Sequence, residues 1–171
     1  MSATALAAGL VCPGLHARGE PAGPRSLVFV NLHTGEELAA DYWRDGRYDS
    51  GALSRIDHIL RDHRADEATS MNRDLLDLLH RLKSSLGGDV PFHVISGYRS
   101  PQTNQALRKH SNGVAKRSLH MQGKAIDIRI PDVKTGALYE AALALQGGGV
   151  GLYRKSGFIH LDVGRVRTWR G

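Results

Sequence analysis

With a single cysteine, Cys12, among 171 residues, the chain cannot close an intrachain disulfide. A structural zinc site built from several thiolates is excluded with it. Cysteine usage is silent on compartment, because secreted bacterial proteins often lack disulfides. Aromatic residues make up only 6%, too few for the stacking platforms of single-stranded nucleic-acid binders. No apolar run is long enough to cross a bilayer as a helix. Nor is there a block of lysine or arginine. The formal charge of +6 is dispersed along the chain; it suits an anionic partner, and a cell-wall polymer or an acidic peptide fits it as well as nucleic acid does, so charge alone does not choose among them.

What is present reads as one ordinary globular domain: 41% hydrophobic and 23% charged residues suffice for a single core. Residues 1–25 stand apart. Ala3 to Ala8 with Leu10-Val11 form a short apolar run, and Leu15-His16-Ala17 ends on a small residue. This is the pattern of a secretory signal remnant with cleavage after Ala17; an Ala-rich tail is the alternative. Residues 18–25 are a linker by their Gly and Pro content. The domain is expected over residues 26–171.

Within it, Leu27 to Leu32 and Glu37 to Trp43 read as two strands around a His33-Thr34-Gly35 turn. Ser50 is expected to cap a helix with apolar positions Leu53, Ile56, Ile59 and Leu60. A second helix, from about Asn72 to Leu86, carries a buried stripe of Leu75, Leu78, Leu79, Leu82 and Leu86 and stops at Gly87-Gly88. His93 to Ser96 is a short strand leading through Gly97-Tyr98-Arg99-Ser100-Pro101 into a helix to about Lys109. Residues 110–119 read as a loop, Ala125 to Ile130 as a strand and Lys134 to Gln146 as a helix. Val150–Tyr153 and Phe158–Val163 close the pattern as strands.

Two imidazoles and a carboxylate, His120, Asp127 and His160, then draw together. Strand alternation puts Ile126, Ile128 and Ile130 on one face and Asp127 on the other. The same alternation separates Ile159, Leu161 and Val163 from Phe158, His160 and Asp162. Side by side, the two strands would bring Asp127 and His160 over a common groove, with His120 reaching in from the loop ahead of its strand. Two neutral nitrogens and one anionic oxygen suit zinc and leave a fourth position for water.

The motifs Asn31-Leu32-His33-Thr34-Gly35-Glu36, Ile95-Ser96-Gly97-Tyr98-Arg99-Ser100, Gly113-Val114-Ala115-Lys116-Arg117-Ser118, His120 with Asp127, Gly148-Gly149-Val150-Gly151 and Phe158-Ile159-His160-Leu161-Asp162-Val163-Gly164 occur in that order. Together they resemble the M15-type zinc peptidases, in their murein endopeptidase K-like branch, from about Leu27 to Trp169. The resemblance implies a compact α+β single domain of hedgehog/DD-peptidase-like type, with helices packed on a mainly antiparallel sheet. It implies a periplasmic zinc endopeptidase acting on peptidoglycan crosslinks between two diaminopimelate residues. It makes His120, Asp127 and His160 the zinc ligands, and Arg99 a catalytic and substrate-binding cation. Ser118 becomes a substrate-binding or loop-positioning hydroxyl.

Several M15 relatives carry a glutamate or histidine just before the last ligand as general base. Gly157 and Phe158 stand there in this chain. Asp162 is the expected substitute, either as base or as a carboxylate that orients His160. No nucleic acid and no membrane span are expected, and a monomer is. A peptidoglycan carboxypeptidase is the nearest rival. A zinc-containing cell-wall-binding module without turnover is the rival from another class.

Overall fold

A computed structural model of the protein describes residues 23–111 and 113–171. The signal and linker reading of residues 1–25, including Cys12 and Ala17, lies outside the described residues up to residue 22.

Alternation builds the first hairpin. In β1 (Arg25–Asn31), Leu27, Phe29 and Asn31 are buried in turn, and in β2 (Glu37–Arg44) Ala40 and Tyr42 are. The turn between them is held by Asn31, whose side-chain oxygen accepts from the backbone N–H of His33 and Thr34 at 2.9 and 3.3 Å. A two-residue strand, β3 (Arg47–Tyr48), adds to the far side of β2; the sequence pattern did not separate it from the β2 turn.

The helices follow their caps. α1 (Ser50–Ile59) begins one residue earlier in its capping than Ser50 suggested, because Asp49 Oδ1 accepts from Ala52 N–H. α2 (Arg73–Ser85) is capped by Asn72 and buries Leu75, Leu76, Leu78, Leu79 and Leu82 completely. Each such leucine contributes roughly 2 kcal/mol of apolar burial, so α2 is the main anchor of the core. α3 (Pro101–His110) starts with proline behind the Ser100 cap. α4 (Thr135–Ala144) has no side-chain cap and is held by the burial of Leu138, Tyr139 and Ala142.

The remaining strands are β4 (Phe92–Ser96), β5 (Ala125–Arg129), β6 (Gly149–Tyr153), β7 (Phe158–Asp162) and β8 (Arg167–Arg170). All eight form one sheet in the order β3-β2-β1-β4-β5-β7-β6-β8. The β1–β4 and β6–β8 pairings are parallel and the others antiparallel. The sheet is therefore mixed, with an α+β character. α1 packs on β2, α2 on β1, and α4 on β6 and β7. Ile126, Ile128, Val150, Leu152, Ile159 and Leu161 join this core. Residues alternating with them along β5 and β7 point away from the helices, where the polar site lies.

Candidate metal centre

β5 and β7 are antiparallel neighbours, and their register sets Asp127 directly opposite His160. His120 comes from a single 3-10 turn, Leu119–Gln122, where the sequence suggested only loop. The turn is tied down by its own histidine: His120 Nδ1–H donates to the Gly97 carbonyl at 2.7 Å. A carbonyl can only accept, so Nδ1 carries the proton and Nε2 offers its lone pair forward. His160 is fixed from the other side. Its Nε2–H donates to Asp162 Oδ2 at 2.9 Å, which leaves Nδ1 facing the groove.

The three forward atoms form a small triangle. Asp127 Oδ1 lies 2.9 Å from His160 Nδ1 and 3.4 Å from His120 Nε2, and the two nitrogens are 3.2 Å apart. A tetrahedral site with zinc–ligand bonds near 2.0–2.1 Å has edges of about 3.3 Å. Two imidazole lone pairs aimed at each other beside a carboxylate repel unless a cation sits between them. The donor set therefore fits a divalent metal ion. Burial alone would raise the Asp127 pKa, but His120 and His160 outweigh it and hold the carboxyl well below the usual range. Burial lowers that of His160, yet Asp127 and Asp162 reverse the direction and raise it. A proton and a metal ion thus compete for Nδ1.

Behind His160, Asp162 is fully buried. Its Oδ1 accepts from Gly149 N–H at 3.1 Å, Gly164 N–H at 2.8 Å and Arg167 Nη1 at 3.0 Å. Oδ2 accepts from Arg167 Nη2 at 2.7 Å besides His160. Burial would raise its pKa, but His160, Arg167 and Gly164 lower it well below the usual carboxylate range. The glycine at 149 is what lets the pair close: a Cβ there would stand 2.2 Å from Arg167 Nη1 and 2.6 Å from Asp162 Oδ2. That is the physical content of the Gly148-Gly149 motif. Arg167 itself carried no signal in the sequence, because only the sheet order brings β8 beside β6.

Arg99 enters from the turn after β4. Asp62, itself buried and held by Arg64 N–H at 3.0 Å, anchors that turn by accepting from Ser100 N–H at 2.9 Å. The guanidinium is only 13% exposed and stands 3.7 Å from Asp127 Oδ2. Its other contacts are long, 3.3 Å to Ser96 Oγ and 3.5 Å to Asn104 Oδ1. Burial lowers its pKa, against the opposing pull of Asp127. The result is a dehydrated cation with weak internal partners. Ser118 is nearly buried, at 7% exposure, and caps the 3-10 turn by position without a side-chain hydrogen bond.

Arg99, Ser118, His120, Asp127 and His160 line one open cleft of about 490 Å³, with Arg117, Tyr153, Phe158, Arg167 and Trp169 also on its walls, whereas Asp162 does not line it. Trp169 is a cleft residue. Tyr153 was not singled out by sequence. The Asn31–Glu36 motif does not line the cleft; it builds the β1–β2 turn, with Glu36 paired to Arg61 at 2.8 Å.

The profile of the Peptidase_M15_2 family, described as peptidoglycan L,D-endopeptidase MepK, matches residues 20–169. Peptidoglycan L,D-endopeptidase MepK of Escherichia coli (strain K12) is 44% identical over 147 residues, covering 85% of this chain and 80% of that protein. The probable peptidoglycan L,D-endopeptidase MepK of Haemophilus influenzae is 40% identical over 149 residues, 86% of this chain and 80% of its own length. No solved structure gives a significant match, so the hedgehog/DD-peptidase-like likeness has no structural neighbour to rest on.

Proposed function

The chain belongs to the Peptidase_M15_2 (MepK) family of peptidoglycan peptidases, and from that premise we propose that it is a zinc-dependent endopeptidase hydrolysing L,D peptide crosslinks of murein. The observation that carries the metal part is the triangle of His120 Nε2, Asp127 Oδ1 and His160 Nδ1, with the second nitrogen of each imidazole already engaged. His120, Asp127 and His160 would hold the ion. When bound, zinc supplies Lewis acidity, generating a water of lowered pKa and polarising an amide carbonyl.

The chain's own residues do the rest. Gly97 and Asp162 fix the tautomer and aim of the two imidazoles. Asp162 takes the orienting role rather than that of base: it is buried, saturated with donors and absent from the cleft wall. Arg99 holds the substrate's carbonyl oxygen or a neighbouring carboxylate, and its dehydrated setting strengthens that contact. Ser118, on the same cleft wall, supplies a hydroxyl to the bound peptide. Murein lies outside the cytoplasm, so the enzyme works in the periplasm, and its basic charge suits the acidic peptides there.

The test is a digest of purified, zinc-loaded protein with crosslinked and linear muropeptides, read by mass spectrometry. Cleavage of the crosslinked peptide supports the endopeptidase. Trimming of terminal residues alone supports the carboxypeptidase, and sedimentation with cell wall without any cleavage supports a binding module.

A further inference from the structure

Tyr153, Phe158 and Trp169 share the cleft with the three metal-site residues and Arg99. Tyr153 ends β6 and is paired with Phe158 across the β6–β7 hairpin. Their rings stack, with centroids 4.6 Å apart and planes 14° from parallel. Trp169 belongs to β8 and pairs in parallel with Gly151. Its indole lies over that glycine, where a Cβ would come within 2.4 Å of Cε2. The same ring stands 5.0 Å from that of His160, and the Arg167 guanidinium lies 5.0 Å above it. The indole is thus clamped from several sides next to a metal-site histidine.

Its one polar atom is put to use. Trp169 Nε1–H donates to the Tyr153 hydroxyl oxygen at 3.0 Å. An indole N–H is a donor only, so the phenol oxygen must accept. The phenol's own proton is then left over, and among the described residues it has no acceptor. Tyr153 is half-buried on the wall of the cleft that Arg99 also lines. The cleft therefore offers two donors, one cationic and one neutral, beside the metal site.

We propose that the Tyr153 hydroxyl is a catalytic hydrogen-bond donor to the carbonyl oxygen of the scissile amide, with Trp169 as its positioning residue. This rests on the peptidase reading above. As negative charge grows on that oxygen during attack, the phenol O–H shortens its hydrogen bond to it without giving up the proton. A donor already aimed by the indole needs no reorganisation at that moment. Phe158 keeps the phenol ring flat against the wall.

The experiment compares zinc-loaded wild type, Tyr153→Phe, Trp169→Phe and the double variant. It reads cleavage of a crosslinked muropeptide and, by calorimetry, binding of a phosphinate pseudopeptide that mimics the tetrahedral state. Tyr153→Phe keeps the stacked ring and removes only the hydroxyl. Its kcat is expected to fall by about 10²–10³-fold, with KM little changed and phosphinate affinity reduced. Trp169→Phe loses less, and the double variant loses no more than Tyr153→Phe alone, because the indole acts through the phenol. A Tyr153→Phe enzyme as fast as wild type, or one altered only in KM, overturns the proposal. If Tyr153→Phe does not fold, Trp169→Phe still decides: unchanged turnover and phosphinate affinity overturn it. A wild type that neither binds nor cleaves defeats the peptidase reading and this proposal together. A cleaving wild type beside an equally fast Tyr153→Phe defeats the Tyr153 role alone.

Discussion

Asp162→Asn separates two roles for the buried carboxylate. With the amide oxygen at the Oδ1 position, the contacts from Gly149, Gly164 and Arg167 Nη1 survive. At the Oδ2 position an NH2 group then faces two donors, His160 Nε2–H and Arg167 Nη2. Each lost bond to a charged or ionised partner is worth about 1.5–3 kcal/mol when buried. Arg167 is about one-third exposed and can turn to water, so the expected loss of stability is about 2–4 kcal/mol. The larger consequence falls on His160, whose Nε2–H loses its acceptor and whose tautomer is no longer fixed. Outer partners of this kind change metal affinity by about 10–100-fold. Zinc titration against a competing chelator reads that change, denaturant unfolding of the zinc-loaded protein reads the stability loss, and muropeptide turnover is measured at saturating zinc. The orienting role predicts weakened zinc binding and substantial recovery of turnover when zinc is in excess. A variant that binds zinc as tightly as wild type but has lost turnover would refute the reasoning and make Asp162 the base.

Three further outcomes are expected. Arg99→Lys keeps the charge but not the planar fork and should lower kcat/KM by about 10²-fold, measured on crosslinked muropeptide, with zinc content unchanged. Asp77 accepts from Tyr42 at 2.8 Å and Tyr48 at 2.7 Å and pairs with Arg25 at 2.8 Å. Burial would raise its pKa, but those donors lower it overall. Its contribution to stability is therefore full above the unfolded value near pH 4 and is lost as the pH falls through the lower folded value. Urea midpoints measured from pH 7 down to pH 3 should fall less steeply in Asp77→Asn than in wild type. Gly151→Ala drives a methyl into the Trp169 indole and should lower stability by about 1–3 kcal/mol, with a change in tryptophan emission as the indole leaves Tyr153.

Much of the site was legible because strand alternation is a strict rule. The Phe158–Asp162 pattern was enough to put His160 and Asp162 on one face and Ile159 and Leu161 on the other. The pairing of Asp127 with His160 followed once β5 and β7 lay side by side. The leucines of α2 were legible from helical spacing in the same way, although Leu76 joins the buried set outside the expected stripe. The sequence offers Ser50 as the cap, whereas Asp49 is the extended residue that accepts from Ala52 N–H: both residue types favour the position, and only the backbone angles choose between neighbours. The 3-10 turn around His120 was hidden because four residues hold no periodicity, and its brace is a carbonyl from residue 97. β8 was missed for a similar reason. Its residues Arg167–Arg170 alternate only weakly in burial, and what stabilises the strand is parallel pairing to β6 and the seat that Gly151 leaves for Trp169. Arg167 and Tyr153 therefore became visible as cleft residues only through three-dimensional neighbours.

We propose that His120, Asp127 and His160 grip one cation. Metal analysis combined with X-ray absorption at the zinc edge, on wild type and on Asp127→Ala and His160→Ala, tests it most directly. One zinc per chain with two imidazoles and a carboxylate oxygen at about 2.0–2.1 Å, lost in both variants, is the predicted result. Zinc retained at full stoichiometry in both variants, or bound without imidazole, contradicts the account.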